Sequence, residues 1–223
     1  GVREGVSTGL FARMIQAAGV SMVVSVEPHE EGLVACFDPR QTVFEGLSIM
    51  GPVARFLADE GLVCDVVSAP DVGGVERARH VAQAHERPLV VLSKERDYGS
   101  PSTVIHTSVI GDVAGKSVLL VDDIVDTAGS VVSATHALWA AGATDVIMAG
   151  VHLLMSDPAW TRVHELEREA AARNVTFRLV GTSGVTHPGA PPSYREFALE
   201  PLLAKVIRSV NERGRVRAVE DEG

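Results

Sequence analysis

The sequence predicts an α/β fold built on a largely parallel sheet flanked by helices, and three observations lead there. Apolar runs of roughly five to eight residues alternate with segments of helical period along nearly the whole chain. The strand read at 117–121 carries Val118, Leu119, Leu120 and Val121 without alternation, as a strand covered on both faces must be. The chain is 223 residues long, 46% hydrophobic and 22% charged, which is enough to bury a substantial core.

The elements follow in order. Ser7 is placed to cap a helix whose Leu10, Phe11, Met14 and Ile15 share one face, and Gly19 is a natural stop. Residues 22–26 form a strand, 49–60 a helix, 63–68 a strand and 75–86 a helix. A strand at 88–93 and an edge strand or flap at 103–110 come next, then the apolar central strand at 117–121. A helix at 130–141, a strand at 146–151, a helix at 159–172 and a strand at 175–180 continue the alternation. The Gly/Pro-rich residues 184–192 read as a surface loop, 199–210 as the last helix, and the charged residues from Asn211 on as a fraying tail.

Composition removes several classes of function. Twenty basic residues against 29 acidic ones give a net charge of −9, which disfavours non-specific binding to nucleic acid or anionic membrane. Cys36 and Cys64 fit no metal-site spacing and read as small apolar residues of a reducing compartment. With no membrane-length apolar run and no signal peptide, the expected location is cytoplasmic. Residues 111–117 imitate a Walker A loop, but three residues rather than four separate Gly111 from Gly115. They also precede a strand instead of following one, so they are a turn and not a nucleotide site.

Ligands of open α/β sheets bind beyond the carboxyl ends of the strands. The central strand runs into Asp122, Asp123, Ile124, Val125, Asp126, Thr127, Ala128, Gly129 and Ser130. A loop of small and hydroxylic residues opening a helix offers free amides, hydroxyls and a positive helix end, suited to a phosphate dianion. Asp122 and Asp123 would repel that phosphate. They suit a vicinal diol, or Mg²⁺ held through water. Phosphate on one side and diol on the other describe a ribose 5-phosphate.

Two further strand ends bear on the same chemistry. Pro70, Asp71, Val72, Gly73 and Gly74 follow one strand and open a helix. The glycines let amides approach an oxyanion, and Asp71 could hold the accompanying metal; a bare turn is the alternative. Lys94 and Arg96 are expected past a strand end, ahead of a loop at 97–101. Cations on a flap suit phosphoryl transfer, and a solvated basic pair is the alternative.

Residues 118–130 resemble the ribose 5-phosphate loop of type I phosphoribosyltransferases and ribose-phosphate pyrophosphokinases. Three further stretches resemble the pyrophosphokinases in particular: 3–7 (Arg-Glu-Gly-Val-Ser), 70–79 with Arg77 and Arg79, and 93–96 (Ser-Lys-Glu-Arg). The resemblance implies a type I phosphoribosyltransferase-like fold and the transfer of diphosphate from ATP to ribose 5-phosphate. It implies ribose 5-phosphate binding by Asp122, Asp123, Asp126, Thr127, Ala128, Gly129 and Ser130, and diphosphate binding by Gly73 and Gly74. It further implies catalysis by Lys94 and Arg96, Mg²⁺ at Asp71 and His29, and a homo-oligomer without nucleic-acid or membrane partners.

The resemblance is incomplete. A histidine at position 29 fits the family's metal–ATP site, but its neighbours Glu27, Pro28, Glu30 and Glu31 differ from the family's Asp-Leu-His. The family's late Thr-Asp-Thr stands here as Gly181, Thr182, Ser183, Gly184, without the acid. The adenine contacts it implies lie upstream of Gly1, so residues 1–50 are expected to be the remainder of an N-terminal phosphoribosyltransferase-like domain. Residues 51–213 are then a second such domain and 214–223 a charged tail. A fragment of a working synthetase is the expected reading. A type I transferase using PRPP and a base, and a non-catalytic subunit associated with the synthetase, are the alternatives.

Overall fold

The computed structural model describes residues 4–29, 31–96, 105–212 and 216; of residues 4–6, 31, 94–96, 105 and 106 it describes the backbone only. Arg3, the loop at 97–101 and most of the tail lie outside the described residues. The chain divides into two compact units, Gly1–Ile49 with Leu202–Gly223, and Met50–Pro201.

In the first unit, α1 (Glu4–Ala17) precedes β1 (Met22–Val26), a 3-10 turn (Glu31–Cys36) and β2 (Val43–Leu47), which pairs in parallel with β1. Helix α1 begins before Ser7, which is therefore inside the helix and not its cap. Leu10, Phe11 and Met14 are more than half exposed, so the shared apolar face is not buried among the described residues. Past β1 the buried Glu27 accepts hydrogen bonds from the Ser48 hydroxyl (2.6 Å) and the Ile49 amide (2.8 Å).

The second unit holds α2 (Met50–Asp59), β3 (Val66–Ser68), α3 (Val75–Ala84), β4 (Val91–Arg96), β5 (Ile105–Ile110) and β6 (Ser117–Val125). After these come α4 (Gly129–Ala140), β7 (Asp145–Leu153), α5 (Ala159–Arg173), β8 (Thr176–Thr182) and β9 (Arg195–Phe197). Helix α6 (Glu200–Asn211) crosses the division. The main sheet is parallel throughout, in the order β3-β6-β7-β8-β9, and β4 and β5 form an antiparallel ribbon.

Core packing follows the pattern of the sequence. Residues 118–121 of β6 and 146–151 of β7 are buried without interruption, as strands covered by helices on both faces require. Val131, Ala134 and Leu138 of α4 and Val163, Leu166 and Ala170 of α5 join them in one apolar cluster. Helix α5 stops where Asn174 takes a left-handed conformation and the Val175 amide bonds back to the Ala170 carbonyl at 3.0 Å.

Three differences from the sequence expectation matter for the site. Strands β2 and β9 were not anticipated. Strand β6 runs on to Val125, so Asp122 and Asp123 lie within it instead of closing it. Strand β4 runs from Val91 to Arg96 rather than over 88–93, so Lys94 and Arg96 sit on a strand, paired with Thr107 and Ile105, and not past its end.

Candidate functional site

Strands β3 and β6 are parallel neighbours, so the loops that follow them open at the same edge of the sheet. Strand β3 stops at Ser68, opposite Leu120, while β6 continues beside β7 for five more residues. The loop after β3 fills the space alongside. A Cβ at Gly74 would stand 2.9 Å from the Ala69 Cβ and 3.7 Å from the Val121 carbonyl oxygen. Glycine at that position lets the loop close against the base of the two acids.

Asp122 and Asp123 are consecutive residues of β6, and the guanidinium of Arg77 reaches both side chains. Asp123 is buried. Its Oδ2 accepts from Arg77 Nη2 at 2.7 Å and its Oδ1 from the Ile124 amide at 2.8 Å. The same guanidinium lies 3.8 Å from Asp122 Oδ1, which also accepts from the Asp123 amide at 3.0 Å. Burial, with the negative charges of Asp123 and Asp71 beside it, pushes the Asp122 carboxyl up to about 7. The paired acids thus differ in environment. Asp123 is committed to Arg77, and Asp122 keeps a partly exposed, high-energy carboxylate that a hydroxyl donor would stabilise.

The segment after β6 supplies the other half. Asp126, Thr127 and Ser130 are exposed, and Ala128 is buried with φ 59° and ψ 13°, in the left-handed region. Ala128 is the N-cap of α4 and offers no capping side chain. Helices leave their first amides without intrahelical acceptors, and a cap such as alanine leaves them to an anion. Helix α5 supports this turn through Arg162, whose Nη1 donates to the Thr127 carbonyl at 2.7 Å.

The second loop departs from expectation. Asp71 caps a short 3-10 turn at Val72–Gly74, accepting the Gly73 amide on Oδ1 at 3.1 Å and the Gly74 amide on its carbonyl at 3.3 Å. The amides read as open to an oxyanion are therefore engaged, and an anion binding there would displace the Asp71 carboxylate from Gly73. Strand β4 packs beside this turn, which brings the backbone of Lys94 and Arg96 to the same region. His29 is exposed beyond β1 in the first unit, whereas Asp71 belongs to the second. Among the described residues no three acids, histidines or cysteines form a metal cluster.

Two other features are set apart from this edge. A cavity of about 410 Å³ lies at the opposite end of the sheet, lined by Glu167, Phe177, Arg178 and Pro192 among others. The Walker-like turn leads into β6, and its Lys116 is bound to Asp112 at 2.7 Å. Sequence reasoning placed Arg77 in a motif without giving it a task, although an arginine six positions after Asp71 had two acids to answer. Nothing in the sequence pointed to Arg162.

The phosphoribosyl transferase domain profile matches residues 53–167, which contain both loops, the two acids and Arg162. This chain belongs to the phosphoribosyl transferase domain family. Within that family its relatives include the ribose-phosphate pyrophosphokinase of Helicobacter hepaticus, 32% identical over 209 residues, covering 93% of this chain and 63% of the relative. That of Mycobacterium tuberculosis is 33% identical over 220 residues, 98% of this chain and 65% of the relative. The crystal structure of phosphoribosylpyrophosphate synthetase from Mycobacterium smegmatis superposes with a TM-score of 0.78 at 30% identity, over 95% of this chain and 66% of that one. The chain thus spans somewhat less than two thirds of the length of these relatives. Among the described residues no helix is long and apolar enough to cross a membrane, and both cysteines are free.

Proposed function

We propose that this phosphoribosyl transferase domain chain carries the ribose 5-phosphate half of a ribose-phosphate diphosphokinase, which moves diphosphate from ATP to ribose 5-phosphate and yields PRPP and AMP. The observation that carries the reading is the pairing of the uncapped start of α4 with the raised carboxylate of Asp122, four residues before Asp126 on the same strand-to-helix segment. The amides at 127–130 and the Thr127 and Ser130 hydroxyls hold the 5-phosphate, with Asp126 at the mouth of the turn. Asp122 accepts from a ribose hydroxyl, and Asp123, fixed by Arg77, holds the strand end in place. The anomeric oxygen bonds to the β-phosphorus as the bond from that phosphorus to the α,β-bridging oxygen breaks; AMP leaves with that oxygen, and the hydroxyl proton passes to solvent. Lys94 and Arg96 stabilise the charge spread over the transferring oxygens.

The carboxylates fit Mg²⁺, a hard cation that takes one or two carboxylates and completes its shell with water and substrate phosphates. Asp71 is the donor of the second unit, and its charge already burdens Asp122. His29 is the weaker candidate, since imidazole suits softer metals. When bound, the cation would neutralise phosphate charge beside Gly73 and Gly74.

The chain is proposed to work in the cytoplasm and as a homo-oligomer, the second supported by the exposed Leu10, Phe11 and Met14 of α1. Incubation with ATP and ribose 5-phosphate tests the activity: AMP and PRPP are the expected products. Consumption of PRPP with a purine or pyrimidine base, without AMP formation, would instead support a type I transferase. Calorimetric binding of ribose 5-phosphate with neither reaction would support a non-catalytic subunit.

A further inference from the structure

We infer that Arg162 is a positioning residue of the phosphate turn, holding the Thr127–Ala128 peptide so that its amide faces the anion. The inference rests on the 5-phosphate reading above. Arg162 stands in the first turn of α5, on a different element from any residue of the turn it supports. Its Nη1 donates to the Thr127 carbonyl at 2.7 Å, a short, charge-assisted bond. The carbonyl and amide of a trans peptide point in opposite directions. With the Thr127 oxygen drawn to α5, the Ala128 amide is turned away from α5.

Two details of the turn fit this role. Ala128 holds φ 59°, a conformation that costs a non-glycine residue energy and persists only where the surroundings impose it. Gly129 is the first residue of α4, and a Cβ there would stand 3.6 Å from Arg162 Nη1. Arg162 thus lies in van der Waals reach of the first residue of α4 as well as bonding the turn before it. Among the described residues no carboxylate pairs with Arg162, and its charge therefore stays beside the turn. In the same first turn of α5, Trp160 packs edge-to-face against His187 and Tyr194 at 5.3 and 6.2 Å between ring centres, which ties down the start of that helix.

The test measures affinity for ribose 5-phosphate and for unphosphorylated ribose by calorimetry on the 223-residue chain, with Arg162→Met and Arg162→Lys beside the unaltered protein. Losing a charge-assisted bond that sets the turn is expected to weaken ribose 5-phosphate roughly 10- to 100-fold in Arg162→Met. Ribose affinity should change less than about twofold, and Arg162→Lys should recover part of the loss. Equal losses for both sugars, or no loss of ribose 5-phosphate affinity in a folded Arg162→Met protein, would overturn the positioning role. If the unaltered protein fails to bind ribose 5-phosphate at all, the functional reading falls and the inference falls with it; binding by the unaltered protein with an indifferent Arg162 variant removes the inference alone.

Discussion

Replacing Asp122 by asparagine should make the unliganded protein more stable while damaging its ligand affinity. The Asp122 carboxyl sits at about 7 in the folded chain, against an ordinary value of 3.8. A folded value above the unfolded one means that the folded state holds the proton more tightly. Stability contributed by protonated Asp122 is therefore present below about 3.8 and is lost progressively as pH rises through 7. At 1.36 kcal/mol per unit, the gap of about three units corresponds to roughly 4 kcal/mol of cost carried by the ionised folded protein. Asparagine keeps the acceptor for the Asp123 amide and carries no charge. Chemical denaturation should then show Asp122→Asn more stable than the unaltered protein by up to about 4 kcal/mol at pH 8, shrinking to less than about 2 at pH 5. Affinity for ribose 5-phosphate at pH 8 should fall at least roughly tenfold, since a charged acceptor has become a neutral one. A variant that is less stable at both pH values, or whose advantage does not grow with pH, would refute this reasoning.

Three other outcomes follow from the same geometry. Arg77→Met strips the counter-ion from buried Asp123, so unfolding free energy at pH 8 should drop by about 3–5 kcal/mol, with a smaller loss once the acids are protonated. Ala128→Gly relieves the left-handed strain and should leave stability unchanged or raise it by up to about 1 kcal/mol. Its freer turn should nonetheless bind ribose 5-phosphate less tightly by calorimetry. Lys94→Ala should lower kcat for AMP formation far more than it weakens ribose 5-phosphate binding, and equal losses in the two would count against the flap role.

The fold was legible wherever apolar runs were continuous. β1, the cores of β6 and β7 and the helices α2 to α5 stand within a few residues of expectation, because buried parallel strands and amphipathic helices write their period into the sequence. Strand β9, with Arg195 and Glu196 at its exposed positions, writes none. The strand ends misled for a related reason: charge looked like a stop at Asp122 and Lys94, whereas ladder hydrogen bonds carry the backbone through to Val125 and Arg96. In the site, residue types were readable and their pairing was not. Gly73 and Gly74 were visible as a turn, but the capture of their amides by Asp71 depends on local backbone angles. That Asp123 is spent on Arg77 while Asp122 stays available depends on α3 packing beside β6, a contact between residues 46 positions apart.

The account turns on where a phosphorylated pentose binds. A crystal structure of this chain soaked with ribose 5-phosphate is predicted to show the phosphate on the amides at 127–130 and a ribose hydroxyl on Asp122. The sugar phosphate bound in the cavity beside Phe177 and Arg178, or absent at millimolar concentration, would contradict it.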